Sequence, residues 1–152
     1  MFYSKANQVK TKVKKRKTRT DKQKAKDKAW RSFSDYIRTR DSLKTTSTLT
    51  RCVCITCGKT VPYKRIHAGH GIGGRTNSIL FDEKLVNGQC DSCNVFHGGE
   101  YEIYASKLIE MYGIDMYNEF LAKKKRTVKY TTQDYIDISI MYKNKRTKLV
   151  TP

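Results

Sequence analysis

The chain has 152 residues, with 32 Lys and Arg against 14 Asp and Glu, a formal net charge of +18 and a pI near 9.8. That length suits one compact domain with tails, no apolar run approaches the ~20 residues that cross a bilayer, and no apolar signal segment follows the first residues. The expectation is a soluble intracellular protein whose charge calls for a polyanion. Nucleic acid is favoured over an anionic membrane surface, because no segment joins Lys and Arg to a broad apolar face.

From Met1 to Lys28 there are twelve Lys and Arg and two Asp. Like charges at this density repel, so residues 1–24 are expected to form a basic flexible arm that neutralises phosphates. Lys14, Lys15 and Arg16 sit in its densest part. A helical pattern begins near Asp21, with Ala25, Ala29, Trp30, Phe33, Tyr36 and Ile37 spaced three and four apart. Arg31, Arg38 and Arg40 fall on its other faces, which makes the helix both core element and DNA-facing surface; Trp30 reads as packing. The stretch from Ser42 to Thr50, rich in Ser and Thr, reads as a loop.

Residues 52–99 hold all five cysteines, all three histidines and most of the glycines, which marks the chemical centre. Its short apolar stretches, Val61 to Ile66 and Ile79 to Phe81, suit strands or loop edges. Beyond it, Tyr101, Tyr104, Ala105, Leu108, Ile109 and Tyr112 repeat at helical spacing and stop at Gly113. Met116, Tyr117, Phe120 and Leu121 predict a short second helix ending in the basic run Lys123 to Arg126. Thr132 to Tyr135 predicts the start of a last helix carrying Ile138, Met141 and Tyr142, with a basic tail after Lys143. The organisation expected is an arm over 1–24, a zinc-knuckle domain with flanking helices over 25–130, and a helix with a basic tail over 131–152.

Cys54-Ile-Thr-Cys57-Gly and Cys90-Asp-Ser-Cys93-Asn are two Cys-x-x-Cys knuckles. Two such knuckles place four thiolates around one zinc ion at about 2.3 Å, and the span between them leaves room for a strand hairpin. Zinc would supply on the order of 10 kcal/mol of folding free energy to a modest core. Cys52 is left over and reads as a small buried residue or free thiol.

Between the knuckles runs Ile66-His67-Ala68-Gly69-His70-Gly71-Ile72-Gly73-Gly74-Arg75, and after the second comes Asn94-Val-Phe-His97-Gly-Gly99. A His and Asn set on both sides of a zinc knuckle, beside glycines that admit close backbone approach, is what a ββα-metal nuclease needs. In such an enzyme one His is general base on the attacking water. A divalent ion held by neighbouring His, Asn or Asp stabilises the phosphate and the leaving oxygen. Arg75 is a candidate phosphate contact.

The order Cys-x-x-Cys-Gly, Ala-Gly-His, Phe-Asp-Glu, then Gln-Cys-x-x-Cys-Asn-x-Phe with a following His-Gly resembles the NinG/Rap phage recombination proteins, zinc-containing relatives of the HNH endonucleases. The resemblance spans roughly residues 28–113 and takes in Tyr36-Ile37-Arg38, Arg40-Asp41 and the Tyr104 to Gly113 helix. It implies a phage-encoded, divalent-metal endonuclease acting on branched DNA inside a bacterial host. By the same resemblance His70 takes the general-base position and Asn94 a metal-ligand position. His97, one helical turn on, is placed to share the ion; His67 is a further candidate, although on a strand it points away from His70. Two positions depart from the HNH pattern. Leu85 stands where an Asn is usual, with Asn87 the nearest substitute, and Gly69 stands where an acidic or His ligand often precedes the base.

The expected fold is therefore α+β, a small HNH-like ββα-metal core with zinc knuckles, flanked by helices and preceded by the basic arm. The expected function is a structure-specific DNA endonuclease with one structural Zn²⁺ and one catalytic Mg²⁺ or Mn²⁺. Separated basic clusters at Lys64-Arg65, Lys123 to Arg126 (Lys124 and Arg126 being its expected DNA contacts) and Lys143 to Lys148 suit the several arms of a branched DNA. A homodimer would suit a symmetric junction. The alternatives are a zinc-stabilised DNA-binding accessory protein without catalysis, and an RNA-binding zinc ribbon of ribosomal type.

Overall fold

The computed structural model describes residues 18–151. Lys14, Lys15 and Arg16, and most of the expected arm, lie outside the described residues. Helix α1 (Asp21–Thr46) opens on a capping box: Thr20 Oγ1 accepts from the Gln23 N–H, and Gln23 Oε1 accepts from the Thr20 N–H. It closes on Ser47, whose N–H returns to the Leu43 carbonyl from a left-handed conformation. The helix thus runs four residues past Ser42, where a loop was expected. Hydroxyls at Thr45 and Thr46 bond the carbonyls of Asp41 and Ser42, so the Ser and Thr content is absorbed within the last turn.

Two small antiparallel hairpins follow. In the first, β1 (Arg51–Val53) pairs with β2 (Thr60–Pro62) around the first knuckle. In the second, β3 (Ile66–His70) pairs with β4 (Val86–Cys90), with His67 opposite Gln89 and His70 opposite Val86. The Ile79 to Phe81 stretch is a turn between them, with Ile79 and Leu80 buried. After β4 comes one wide helical turn, Ser92–Phe96, then α2 (Tyr101–Lys124) and α3 (Thr132–Val150). Inside α2, Gly113 takes φ +84 and ψ 163, a conformation closed to other residues without strain, so the helix breaks where the apolar repeat stops. α3 is capped by Thr131 and Asp134, one residue earlier than expected. It continues to Val150, so the basic segment after Lys143 is helical.

α1 and α3 lie side by side in the same direction. Ser32 Oγ meets Ser139 Oγ at 2.9 Å and Arg146 Nε donates to Thr39 Oγ1 at 3.2 Å, each pair 107 residues apart. Phe33, Tyr36 and Ile37 of α1 bury with Tyr142 of α3, Ala68 of β3 and Val86 of β4. α3 is therefore part of the same core as the hairpin. A second cluster, Ile72, Ile79, Leu85, Tyr104, Leu108 and Phe120, ties α2 to the loops around β3 and β4. A third is sulfur-rich: Cys52, Cys54, Cys90 and Cys93 with Ile66.

Arg40 and Asp41 lock α1 to β4. The Arg40 guanidinium donates to Asp41, to the carbonyls of Glu83 (2.7 Å) and Val86 (3.0 Å), and to Asn87 Oδ1 (3.2 Å). Asp41 Oδ2 accepts the Gly88 N–H at 2.6 Å. The pair thus anchors the chain leading into β4, which holds the third cysteine. Among the described residues no helix is long and apolar enough to cross a membrane.

Candidate functional site

The first knuckle is a turn closed by the Gly58 N–H on the Cys54 carbonyl, with Gly58 at φ +70. The second starts at the end of β4 and rolls into the Ser92–Phe96 turn. The ligand atoms of Cys54, Cys57, Cys90 and Cys93 all lie within 4.8 Å of one another, and Cys57 Sγ is 3.8 Å from Cys90 Sγ. A tetrahedral Zn–S bond of about 2.3 Å requires sulfurs about 3.8 Å apart, so the four can hold one zinc ion. Burial alone would raise the Cys54 thiol, but N–H donors from Cys57, Cys90 and Thr56 bring it down to about 7. Burial and the neighbouring thiols push Cys90 and Cys93 up. Four sulfurs in this space need a cation to ionise together. Cys52 is fully buried beside them, its thiol raised chiefly by desolvation, and falls outside the group of four.

Beside the knuckles lies a cavity of about 230 Å³. Its walls come from α1 (Trp30, Ser34), β3 (His67, Ala68, His70), the loop after β3 (Arg75), the wide turn (Asn94), the turn before α2 (Gly99) and the first residue of α2 (Tyr101). His70 is 7% exposed, and its Nε2 is 3.2 Å from the Leu80 carbonyl oxygen. A carbonyl only accepts, so Nε2 carries the hydrogen and Nδ1 keeps its lone pair. Burial, reinforced by Arg75, pushes the imidazole down to about 4, so it is neutral at pH 7. The ring stacks on Trp30 at 5.1 Å, and the Arg75 guanidinium covers Trp30 at 4.2 Å. Trp30 therefore joins the imidazole and the cation as well as packing against Phe33.

His67, opposite His70 in strand phase, borders the same cavity. Its Nε2 pairs with Asp91 Oδ1 at 2.6 Å, and Arg65 Nε holds the other Asp91 oxygen at 2.8 Å. A carboxylate on one ring nitrogen leaves the other as the lone-pair donor, the usual support of a metal-bound histidine. Asn94 borders the cavity too, its Oδ1 3.2 Å from where a Cβ on Gly69 would stand. His97 is elsewhere: it is exposed and its Nδ1 faces Glu100 Oε1 at 2.9 Å. The wide turn is the reason, because three residues no longer bring a side chain back to the face of Asn94.

The two departures from the HNH pattern have structural causes. Leu85 fills the second core and is fully buried. Asn87 does not replace the missing Asn: its Oδ1 accepts from Arg40 and its Nδ2 donates to the Lys84 carbonyl. The Leu80 carbonyl holds His70 instead. At Gly69, a Cβ would stand 2.4 Å from Gln89 Oε1. Gln89 is fully buried, its Nε2 donates to Thr56 Oγ1 and to the Gly99 carbonyl at 2.7 Å each, and its Oε1 finds no hydrogen-bond partner. An orphaned acceptor and the Asn94 oxygen thus flank Gly69, immediately before His70.

Of the basic residues singled out in the sequence, Arg75 is at the cavity. Lys124 lies next to it, its side chain about 3.2 Å from the Cβ position of Gly74. Lys64 and Arg126 are exposed away from it. Arg38 and Arg65 are engaged within the chain: Arg38, half-buried, stacks on Tyr63 at 4.4 Å and donates to its carbonyl, and Arg65, exposed, is paired with Asp91. No spacing rule marks Leu80 or the role of Trp30 beyond packing, and the only sequence signal for Gln89 is its place directly before the third knuckle cysteine.

Comparisons with curated proteins and with solved structures give no match. The family model described as the bacteriophage lambda NinG protein matches residues 3–151. With nearly its whole length matched, the chain belongs to the phage NinG family.

Proposed function

We propose that the protein is a metal-dependent DNA endonuclease acting on branched recombination intermediates, with a structural zinc ion at Cys54, Cys57, Cys90 and Cys93. The observation that carries the reading is the state of His70: neutral, tautomer set by the Leu80 carbonyl, and bordering a cavity with Arg75, Asn94 and His67. A general base needs an unprotonated nitrogen at working pH and a fixed ring, and His70 has both. The β3–β4 hairpin followed by a helical turn supports the ββα-metal reading of the core.

In this reading Nδ1 of His70 takes the proton of a water attacking a phosphodiester phosphorus. Arg75, held over Trp30, bonds the non-bridging oxygens and offsets their growing charge. His67 and Asn94 would hold the divalent ion, with Asp91 fixing His67. The ion would supply Lewis-acid stabilisation of the phosphate and the leaving oxygen. His97 and Asn87 take no part. Base-specific contacts are not called for, because the cavity offers a phosphate site and a stacking wall of Trp30 and Tyr101.

The experiment is single-turnover cleavage of a labelled three-way junction by wild type, His70→Ala and Arg75→Ala, with Mg²⁺ or Mn²⁺. The reading predicts loss of at least about 100-fold in His70→Ala with zinc content unchanged. Cleavage surviving in His70→Ala removes that residue from the mechanism.

A further inference from the structure

The His70 cavity does not end at α1. Trp30 and Ser34, which wall it, also wall a second hollow of about 340 Å³ with Arg31 and Asp35. Arg31 and Asp35 in turn border a third, of about 400 Å³, in the seam between α1 and α3, with Lys143 and Arg146 on its far side and Lys28 at its edge. Hollows that share walls in this way form one trough from His70, across α1, into the α1–α3 seam.

The trough is strongly cationic. Lys28, Arg31, Lys143 and Arg146 are all exposed. Of the two carboxylates lining the trough, Asp27 is paired with Arg19 at 2.6 Å and Asp35 lies 3.4 Å from Arg38. Among the described residues Lys28, Arg31 and Lys143 meet no acidic partner. Arg146 spends one N–H on Thr39, which lays its guanidinium along the seam. The two helices that carry these cations are fixed to each other by the Ser32–Ser139 bond and by Phe33, Tyr36 and Tyr142. Four cations lining one surface repel one another, and of them only Arg146, through Thr39, bonds the packing beneath.

We propose that this trough is a second DNA-binding site, which grips the phosphate backbone of the DNA arm leaving the His70 cavity. The proposal rests on the reading of that cavity as the place where a phosphodiester is held. The backbone passes over Ser34 beside Trp30 and is gripped by Arg31 and Lys28 on one side and by Lys143 and Arg146 on the other. Lys and Arg contacts of this kind position an arm without reading its sequence. The trough thus gives α3, which has no residue at the cavity, a role in holding a branched substrate.

The test is equilibrium binding of the full chain to a three-way DNA junction across a salt series, without added Mg²⁺ or Mn²⁺. Wild type is compared with Arg31→Gln/Lys143→Gln and with the charge-keeping Arg31→Lys/Lys143→Arg. Loss of two phosphate contacts should weaken binding roughly tenfold or more at moderate salt and reduce the log–log salt slope by about 2. The charge-keeping pair should bind as wild type does, and zinc content and melting temperature should be unchanged in both. An unaltered slope in Arg31→Gln/Lys143→Gln overturns the trough, and so does displacement of the DNA by RNA duplex or anionic vesicles at equal phosphate. A chain that shows the slope change but never cuts DNA defeats the endonuclease reading alone; one that cuts without the slope change defeats the trough alone.

Discussion

His70 draws its properties from three neighbours, Arg75 and Leu80 in the chain just after it and Trp30 on α1. The Leu80 carbonyl sets the tautomer, Trp30 covers the ring, and burial with Arg75 keeps it neutral down to about 4. An unfolded histidine takes its proton near 6.5, so between about 6.5 and 4 the unfolded chain binds a proton that the folded one refuses. Stability contributed by His70 is therefore full above pH 6.5 and lost as pH falls through that window, by up to ~3 kcal/mol. Urea midpoints at pH 7 and pH 4.5 should show wild type losing more than His70→Gln, which shares all its other titrating groups; equal losses would contradict the buried neutral ring. Gly69 offers a second check. Its missing Cβ leaves room for a glutamine side chain pinned by two hydrogen bonds, so Gly69→Ala should cost about 1–3 kcal/mol in chemical denaturation. His70 and Asn94 were legible as candidates, since motif spacing marks them. Gln89 and Leu80 were not, because one acts by an orphaned oxygen and the other by its backbone, and neither has a spacing rule.

At the scale of elements, apolar periodicity located all three long helices, and the two knuckles announced the hairpin between them. Boundaries failed where side chains capped or extended a helix unexpectedly: Thr45 and Thr46 carried α1 past Ser42, and α3 absorbed the basic tail. The placement of His97 failed for a different reason, since a wide turn cannot be distinguished from an ordinary helical one by residue spacing. The Arg40–Asp41 pair shows how an exposed-looking arginine becomes structural, as its donors reach Glu83, Val86 and Asn87 together. Removing it strands the Asp41 carboxylate and three acceptors. Arg40→Met should therefore cost about 3–5 kcal/mol, read as a lowered denaturation midpoint with an unchanged slope.

At the scale of the molecule, the three cores meet around the hairpin β3–β4, and the sulfur-rich one is the smallest. A chain this basic folds against its own repulsion, and a zinc ion at the four cysteines would offset that by ~10 kcal/mol. Stripping metal with a strong chelator should collapse the melting transition, and Cys93→Ala should behave like the stripped protein; a chelated chain that melts unchanged would remove the structural role. Net charge was the plainest message of the sequence, whereas its arrangement was hidden. Arg38 is taken up by Tyr63 and Arg65 by Asp91, whereas Arg31 and Lys143, which the sequence places in separate basic segments, face one trough.

The most direct measurement is cleavage of a labelled branched DNA beside its matched linear duplex, with Mg²⁺, Mn²⁺ or neither, by wild type and His70→Ala carrying equal zinc. Metal-dependent cutting of the branched form, lost by at least about 100-fold in His70→Ala while DNA binding persists, is the predicted result. Tight, salt-sensitive binding by wild type with no cutting under any metal would contradict it, and would make the protein a zinc-stabilised DNA-binding accessory.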